Sequence, residues 1–229
     1  MSLLDDFTSL IYPRICMACG NSLYKHEKII CNYCLYHLPK TYFHLEKDNP
    51  VSQKFWGRVN IESAAAYYYF SKAGKVQHLI HQLKYNKQKE VGIFIGKLYG
   101  IELKNSVLFK NIDIIIPVPL HPKKQKIRGY NQSEMFAKGL SVSMDVDINT
   151  NILYRNISSE TQTKKTRYKR WENVKEIFKI KDIKTLKDKH ILLVDDVITT
   201  GATLEACANA LLQIPGTKVS IAAMACTND

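Results

Sequence analysis

Apolar positions along this chain follow two rhythms. Short, mostly apolar runs at 64–70, 113–119, 190–194 and 218–224 have the length of buried strands. Between them, apolar residues recur at helical spacing. Val76, Leu79, Ile80 and Leu83 do so within 71–85, and the same spacing covers 91–103, 133–142 and 204–212. A weaker run, 148–154, reads as one more short strand. At the start, Leu3, Leu4, Phe7 and Leu10 fall on one face of a short amphipathic helix. Strands alternating with helices predict an α/β fold with a parallel sheet flanked by helices. No repeat or low-complexity tract interrupts the pattern.

The most specific segment is Val194-Asp195-Asp196-Val197-Ile198-Thr199-Thr200-Gly201-Ala202-Thr203. A strand leads into two carboxylates, then a hydroxyl-rich turn with a glycine, then a helix. Free N–H groups at a helix N-terminus and the helix dipole both favour an anion such as phosphate. Thr199, Thr200 and Thr203 add hydroxyl donors, and Gly201 permits close approach or a positive φ. Phosphate alone would repel Asp195 and Asp196. A ligand that also carries hydroxyls or a metal ion accounts for them, and a ribose 5-phosphate supplies both features. The plainer alternative is a core strand followed by an ordinary polar turn.

A second constellation lies near the N-terminus. Cys16-Met17-Ala18-Cys19 and Cys31-Asn32-Tyr33-Cys34 are two Cys-x-x-Cys pairs with eleven residues between them. Two such knuckles offer four thiolates, the ligand set of a closed structural Zn²⁺ site. Redox or disulfide use is the alternative. His26 and His37 are close enough in sequence to replace a ligand, though nothing requires it. A module this small needs the metal to fold. The expected division is a zinc module over 1–45 and the α/β domain over 46–229, with 39–57 as a linker that packs back on the second domain. Trp56 and Trp171 are expected to be packing residues. Cys207 and Cys226 read as small buried apolar residues.

The formal charge of +12 changes the picture because part of it is clustered. Lys123, Lys124, Lys126 and Arg128 form one group. Lys164, Lys165, Arg167, Lys169 and Arg170 form another. Two short cationic loops suit a polyanion such as pyrophosphate, a nucleotide or nucleic acid. A solvated charge run over 161–170, and a turn at 128–131 with Asn131 as helix cap, are the alternatives. Ligands of open α/β sheets bind beyond the carboxyl ends of strands. If the strands ending at Val118 and Val194 are neighbours, a basic loop faces the acidic one across a crevice. No apolar run is long enough for a membrane span, and no secretory signal is visible, so a cytoplasmic location is expected.

The segment at 194–203 resembles the signature of type I phosphoribosyltransferases, which bind 5-phosphoribosyl 1-pyrophosphate (PRPP). Several stretches together resemble the ComF family of competence proteins. These are the paired cysteine module, Leu79-Ile80 with Leu83-Lys84-Tyr85, Pro117-Val118-Pro119-Leu120-His121-Pro122, Arg128-Gly129-Tyr130-Asn131-Gln132-Ser133, Thr161-Gln162 with Arg170 and Asn173-Val174, and the acidic pair. The resemblance implies a type I phosphoribosyltransferase-like sheet with an N-terminal zinc ribbon. It places Asp195 and Asp196 on the ribose hydroxyls and Val197, Thr199, Thr200, Gly201, Ala202 and Thr203 on the 5′-phosphate. Pro119 and Lys124 would border PRPP, while Lys123 and Arg128 would take up charge on pyrophosphate. Lys164, Lys165 and Arg170 would lie in a closing loop, and Mg²⁺ would accompany PRPP. The family often has phenylalanine where Tyr130 stands. It implies transfer of phosphoribosyl to an unread acceptor. The alternatives are a non-catalytic sensor of PRPP or a nucleotide, and a protein that handles single-stranded DNA within the competence machinery.

Overall fold

A computed structural model describes residues 13–155 and 177–227. At its centre is a parallel sheet of four strands: β1 (Ala64–Phe70), β2 (Ile114–Pro117), β5 (His190–Ile198) and β6 (Lys218–Thr227), in the order β1-β6-β5-β2. Its strands are almost wholly buried, as their mostly apolar runs require of a sheet covered on both faces. The helices between them are α3 (Lys75–Tyr85), α4 (Lys89–Asn105), α5 (Pro122–Arg128), α6 (Gln132–Met144) and α7 (Ala202–Leu211). Two short helices precede them, α1 (Asn32–His37) and α2 (Pro50–Gln53).

Helices α4 and α6 pack closely because both carry glycine at the contact. A Cβ on Gly96 would overlap the Phe136 carbonyl oxygen and lie 2.9 Å from Gly139 Cα and 3.0 Å from Leu140 N. All three are backbone atoms of α6. This pair fixes α6, whose first residues border the acidic motif.

Three local expectations change. Strand β5 does not end at Val194: it runs on to Ile198, so Asp195 and Asp196 lie in the strand. Its partner β6 continues beside it, with Asp195 opposite Ala223 and Val197 opposite Ala225, small residues that leave room for polar side chains. On the other side β2 stops at Pro117, opposite Val194, so the carboxylates emerge where that neighbour ends. Second, the basic stretch after β2 is a helix. His121 caps α5 by accepting from Lys123 N at 3.1 Å, Pro122 opens it, and Gly129 closes it at φ +81°. No residue of α5 is buried, so apolar periodicity could not reveal it. Third, only Leu153–Arg155 (β3) of the stretch 148–154 forms a strand. It pairs antiparallel with β4 (Phe178–Ile180) in a separate small sheet, while Ile148 bridges to Ile115. The helix expected at 1–11 and Trp171 lie outside the described residues.

The linker packs back on the sheet, as expected from the sequence. Thr41 N donates to Tyr67 O and Tyr69 N to Pro39 O, at 3.0 and 2.9 Å, which ties it to β1. Asn49 is buried and acts as a hub. Its Nδ2 donates to the carbonyls of Phe43, Glu46 and Ala64, and its Oδ1 accepts from Val51 N and Ser52 N. Trp56, expected to pack, is 59% exposed, and the neighbouring Phe55 takes the core position instead.

Candidate functional site

Strands β2 and β5 are hydrogen-bonded parallel neighbours, so their carboxyl ends share one edge of the sheet. Val118 N donates to Val194 O at 2.9 Å as the last rung. Beyond it the chains diverge, β2 toward the cationic helix α5 and β5 toward the acidic pair. The strands expected to end at Val118 and Val194 are therefore neighbours, as the sequence reading required.

The motif 128–133 frames this edge. Asn131 caps α6 by accepting from Ser133 N at 3.1 Å, and its Nδ2 donates to Val118 O at 2.9 Å, fastening the helix to the end of β2. Ser133 Oγ donates to Asp195 Oδ1 at 2.7 Å. Gln132 Oε1 accepts from Arg128 Nη1 at 2.7 Å. The Tyr130 hydroxyl donates to Leu83 O, so the departure from phenylalanine has a partner in α3. Lys123 and Lys124 are exposed on α5, and Pro119 is half-buried at its approach.

Helix α3 joins the acidic and basic sides through consecutive residues. Lys84 Nζ lies 3.0 Å from Asp196 Oδ2, and the Tyr85 ring sits 5.5 Å from the Arg128 guanidinium carbon. Asp196 is thus held by a cation, whereas Asp195 is held by a hydroxyl and by Asp196 N at 2.8 Å. Burial, and then the carboxylate of Asp196, push the Asp195 carboxyl up to about 7, against the hydrogen bonds from Ser133 and Asp196 N and the charge of Lys84. The folded protein therefore holds this proton more tightly than the unfolded chain, where aspartate titrates near about 3.9. The contribution of Asp195 to stability is greatest below that value and is lost as pH rises toward about 7. Asp195→Asn is expected to be more stable than wild type at pH 8, by roughly 2 kcal/mol, with the gap closing by pH 4. Thermal unfolding across that range measures it; a gap independent of pH would contradict the assignment.

The turn after β5 is built as expected. Thr199 and Thr200 are exposed, and Gly201 precedes α7 at φ +75°, a conformation that favours glycine. Thr200 Oγ1 accepts from Ala202 N at 3.4 Å. A hollow of about 50 Å³ is lined by Asp195 and by residues 197–204, enough for one compact polar group by comparison with roughly 30 Å³ for a water. A wider hollow bordered by Asp113, His190 and Lys218 lies at the opposite edge, at the amino ends of the strands. Lys164, Lys165 and Arg170 lie outside the described residues. Cys207 and Cys226 are buried and apolar in setting.

The four N-terminal cysteines converge. Their sulfurs lie within 4.8 Å of one another, and Cys19 Sγ and Cys31 Sγ are 3.8 Å apart. A tetrahedral Zn²⁺ with bonds of about 2.3 Å needs sulfur–sulfur edges of about 3.8 Å, so the ligand set fits. Gly20, at φ +79°, makes the first knuckle, with its N–H donating to Cys16 O at 2.8 Å. Burial raises the Cys16 thiol, but donors led by the backbone N–H of Cys31 outweigh it and bring the group down to about 7. The Cys34 thiol is raised by burial and then by its neighbours. His26 and His37 bond elsewhere, to Asn32 and to the Tyr33 carbonyl, and neither belongs to the cluster. Among the described residues no helix is long and apolar enough to cross a membrane.

Asn49, Arg58, Lys84 and Ser133 carry site contacts that no motif announced. Lys84 and Ser133 fall within stretches that resemble the family, but their partners are 112 and 62 residues away. Asn49 and Arg58 stand in a linker without a recognisable pattern.

Residues 131–228 match the phosphoribosyl transferase domain. The DNA utilization protein YhgH of Escherichia coli (strain K12) is 28% identical over 208 residues, covering 87% of this chain and 84% of that protein. Competence protein F of Haemophilus influenzae is 31% identical over 140 residues, covering 59% of this chain and 61% of that protein. Among solved structures, glutamine PRPP amidotransferase from B. subtilis, complexed with ADP and GMP, aligns with a TM-score of 0.45 and 16% identity over 63% of this chain and 30% of that chain. The phosphoribosyltransferase-type sheet, the cluster of four cysteines at the N-terminus and relatives named for competence and DNA utilization fit a ComF-family protein.

Proposed function

We propose that this protein binds PRPP and transfers its phosphoribosyl group to an acceptor with release of pyrophosphate, as part of DNA uptake or use. The observation that carries this reading is the joining of three features at one sheet edge: the acidic pair ending β5, the hydroxyl-and-glycine turn at the N-terminus of α7, and the cationic helix after β2. Asp195 and Asp196 would hold the ribose hydroxyls. Residues 197 and 199–203 would cradle the 5′-phosphate. Lys123, Lys124 and Arg128, with Pro119 beside them, would meet the pyrophosphate. There the bond from the anomeric carbon to pyrophosphate oxygen breaks as the bond to the acceptor forms, and the cations take up charge on the leaving group. Bound Mg²⁺ would add to the neutralisation of charge on the leaving pyrophosphate. Lys164, Lys165 and Arg170 would close over the site. In this reading residues 1–45 form a module held by structural Zn²⁺, residues 46–229 form the transferase-like domain, and the protein works in the cytoplasm.

Calorimetry with PRPP and Mg²⁺ tests the site. Wild type is expected to bind, and Asp195→Asn/Asp196→Asn to lose affinity by roughly a hundredfold, the loss of two charge-assisted contacts at about 1.5 kcal/mol each. Equal heats for both proteins would remove the ribose assignment.

A second reading, handling of single-stranded DNA, is favoured by one surface. Tyr24, Tyr33 and Tyr36 are exposed on the cysteine module. Tyr33 stacks on His37 with ring centroids 4.1 Å apart and lies beneath Lys75, whose Nζ is 4.8 Å from the ring centre. Lys25 and Lys28 are exposed nearby in sequence. Exposed rings among cations suit stacked bases and a phosphate backbone. Saturable oligonucleotide binding that weakens steeply with salt and with Tyr33→Ala/Tyr36→Ala would establish it.

A further inference from the structure

We propose that Arg58 is a positioning residue of the phosphate-binding turn, and that the strap from Asn49 to Arg58 belongs to the ribose 5-phosphate site. This rests on the ribose-phosphate reading above. The difficulty it answers is Glu205. This carboxylate lies in the first turn of α7. A carboxylate there stabilises an isolated helix, but it competes with any phosphate for the same positive helix end. A site meant for an anion needs that charge neutralised.

Arg58 does so from the linker. Its Nη2 donates to Glu205 Oε2, and its Nη1 donates to the carbonyls of Thr200 and Lys54, each at 2.9 Å. One guanidinium therefore joins the strap, the turn and the competing carboxylate, using the fork of donors that distinguishes arginine from lysine. The Thr200 carbonyl is drawn toward Arg58. In a trans peptide the following N–H, that of Gly201, then points away from it. The strap meets the turn at a second point, where Phe55 is fully buried against Gly201: a Cβ on that glycine would come within 3.0 Å of the ring.

The strap is held in place before any ligand arrives. Asn49 binds three carbonyls and two N–H groups around it, including Ala64 O at the start of β1. Arg58 is partly exposed, with 37% of its side chain open to solvent, so its charge is screened but its position is fixed. The linker thereby presents one cation to the helix end that receives the phosphate.

Calorimetry of the full-length protein with ribose 5-phosphate, and with inorganic phosphate alone, tests this. Arg58→Met is expected to weaken ribose 5-phosphate binding about tenfold, as exposing one charge at a helix N-terminus implies. Arg58→Lys should fall between the two. Glu205→Gln is expected to bind as tightly as wild type or tighter. The double variant Arg58→Met/Glu205→Gln should recover to within about threefold of wild type, a rescue that a merely structural role would not give. Wild-type affinity in Arg58→Met, weaker binding by Glu205→Gln, or no recovery in the double variant would each overturn the proposal. Glu205→Gln is informative even if Arg58→Met folds poorly. Wild type that takes up no ribose 5-phosphate overturns the ribose-phosphate reading and this proposal together, whereas wild-type binding unchanged by Arg58→Met overturns this proposal alone.

Discussion

On the structural-zinc reading, Cys34→Ser is expected to abolish metal binding and unfold the cysteine module. The effect should be large because Cys16, Cys31 and Cys34 are buried at the centre of the module, where an unmatched ligand set cannot be solvated. Its two knuckles are joined by Glu27, whose carboxylate accepts from Tyr24 N at 2.8 Å and Asn32 N at 2.7 Å. It touches α3 through Ala18 O, 3.3 Å from His78 Nδ1, and through Lys75 over Tyr33. These contacts stand against the ordering of some thirty residues, each costing about 1–2 kcal/mol of backbone entropy. Structural zinc in small modules supplies roughly 10–16 kcal/mol at neutral pH. Elemental analysis should find close to one zinc per wild-type chain and none in the variant. Limited proteolysis should cut the variant within 13–38 and leave the sheet domain intact. A variant that resists protease as wild type does would show that the module holds itself together without metal.

Gly96→Ala is expected to have the largest effect around the central sheet, a loss of about 3–5 kcal/mol. Alanine normally favours a helix over glycine by nearly 1 kcal/mol. Here that preference is overwhelmed, because the new methyl would meet the Phe136 carbonyl, Gly139 Cα and Leu140 N, none of which is a flexible side-chain end. The helices would have to separate, and α6 carries Ser133 against Asp195. Thermal unfolding should fall by about 10 °C in a domain of this size. Lys97→Ala, on the outward face of the same helix, should change little. A midpoint for Gly96→Ala within a degree or two of wild type would mean that α4 and α6 are not packed this closely.

The sheet was legible because its strands are buried on both faces and so spell mostly apolar words. The helices α3, α4, α6 and α7 were legible by spacing. The acidic pair and its glycine turn were legible because helix-end chemistry uses few residue types. What escaped depended on polar side chains meeting across long sequence separations. Helix α5 has no apolar face, so its proline start and glycine stop were its only marks. The linker looked featureless because its order comes from one asparagine reaching five backbone groups. Trp56 was misplaced because composition does not say which of two adjacent aromatic residues, Phe55 or Trp56, faces inward. The reach of β5 past Val194 was set by where β2 stops, which is a property of the neighbour.

The contact between Lys84 and Asp196 bears on how any sugar would be received. Two neighbouring carboxylates without a counter-ion would repel each other strongly in so dry a place, and the resting protein avoids this by lending an ammonium from α3. A hydroxyl arriving at Asp196 would share the carboxylate with that ammonium, which lies against Oδ2. The ammonium thereby keeps Asp196 charged and oriented while leaving its other oxygen to accept.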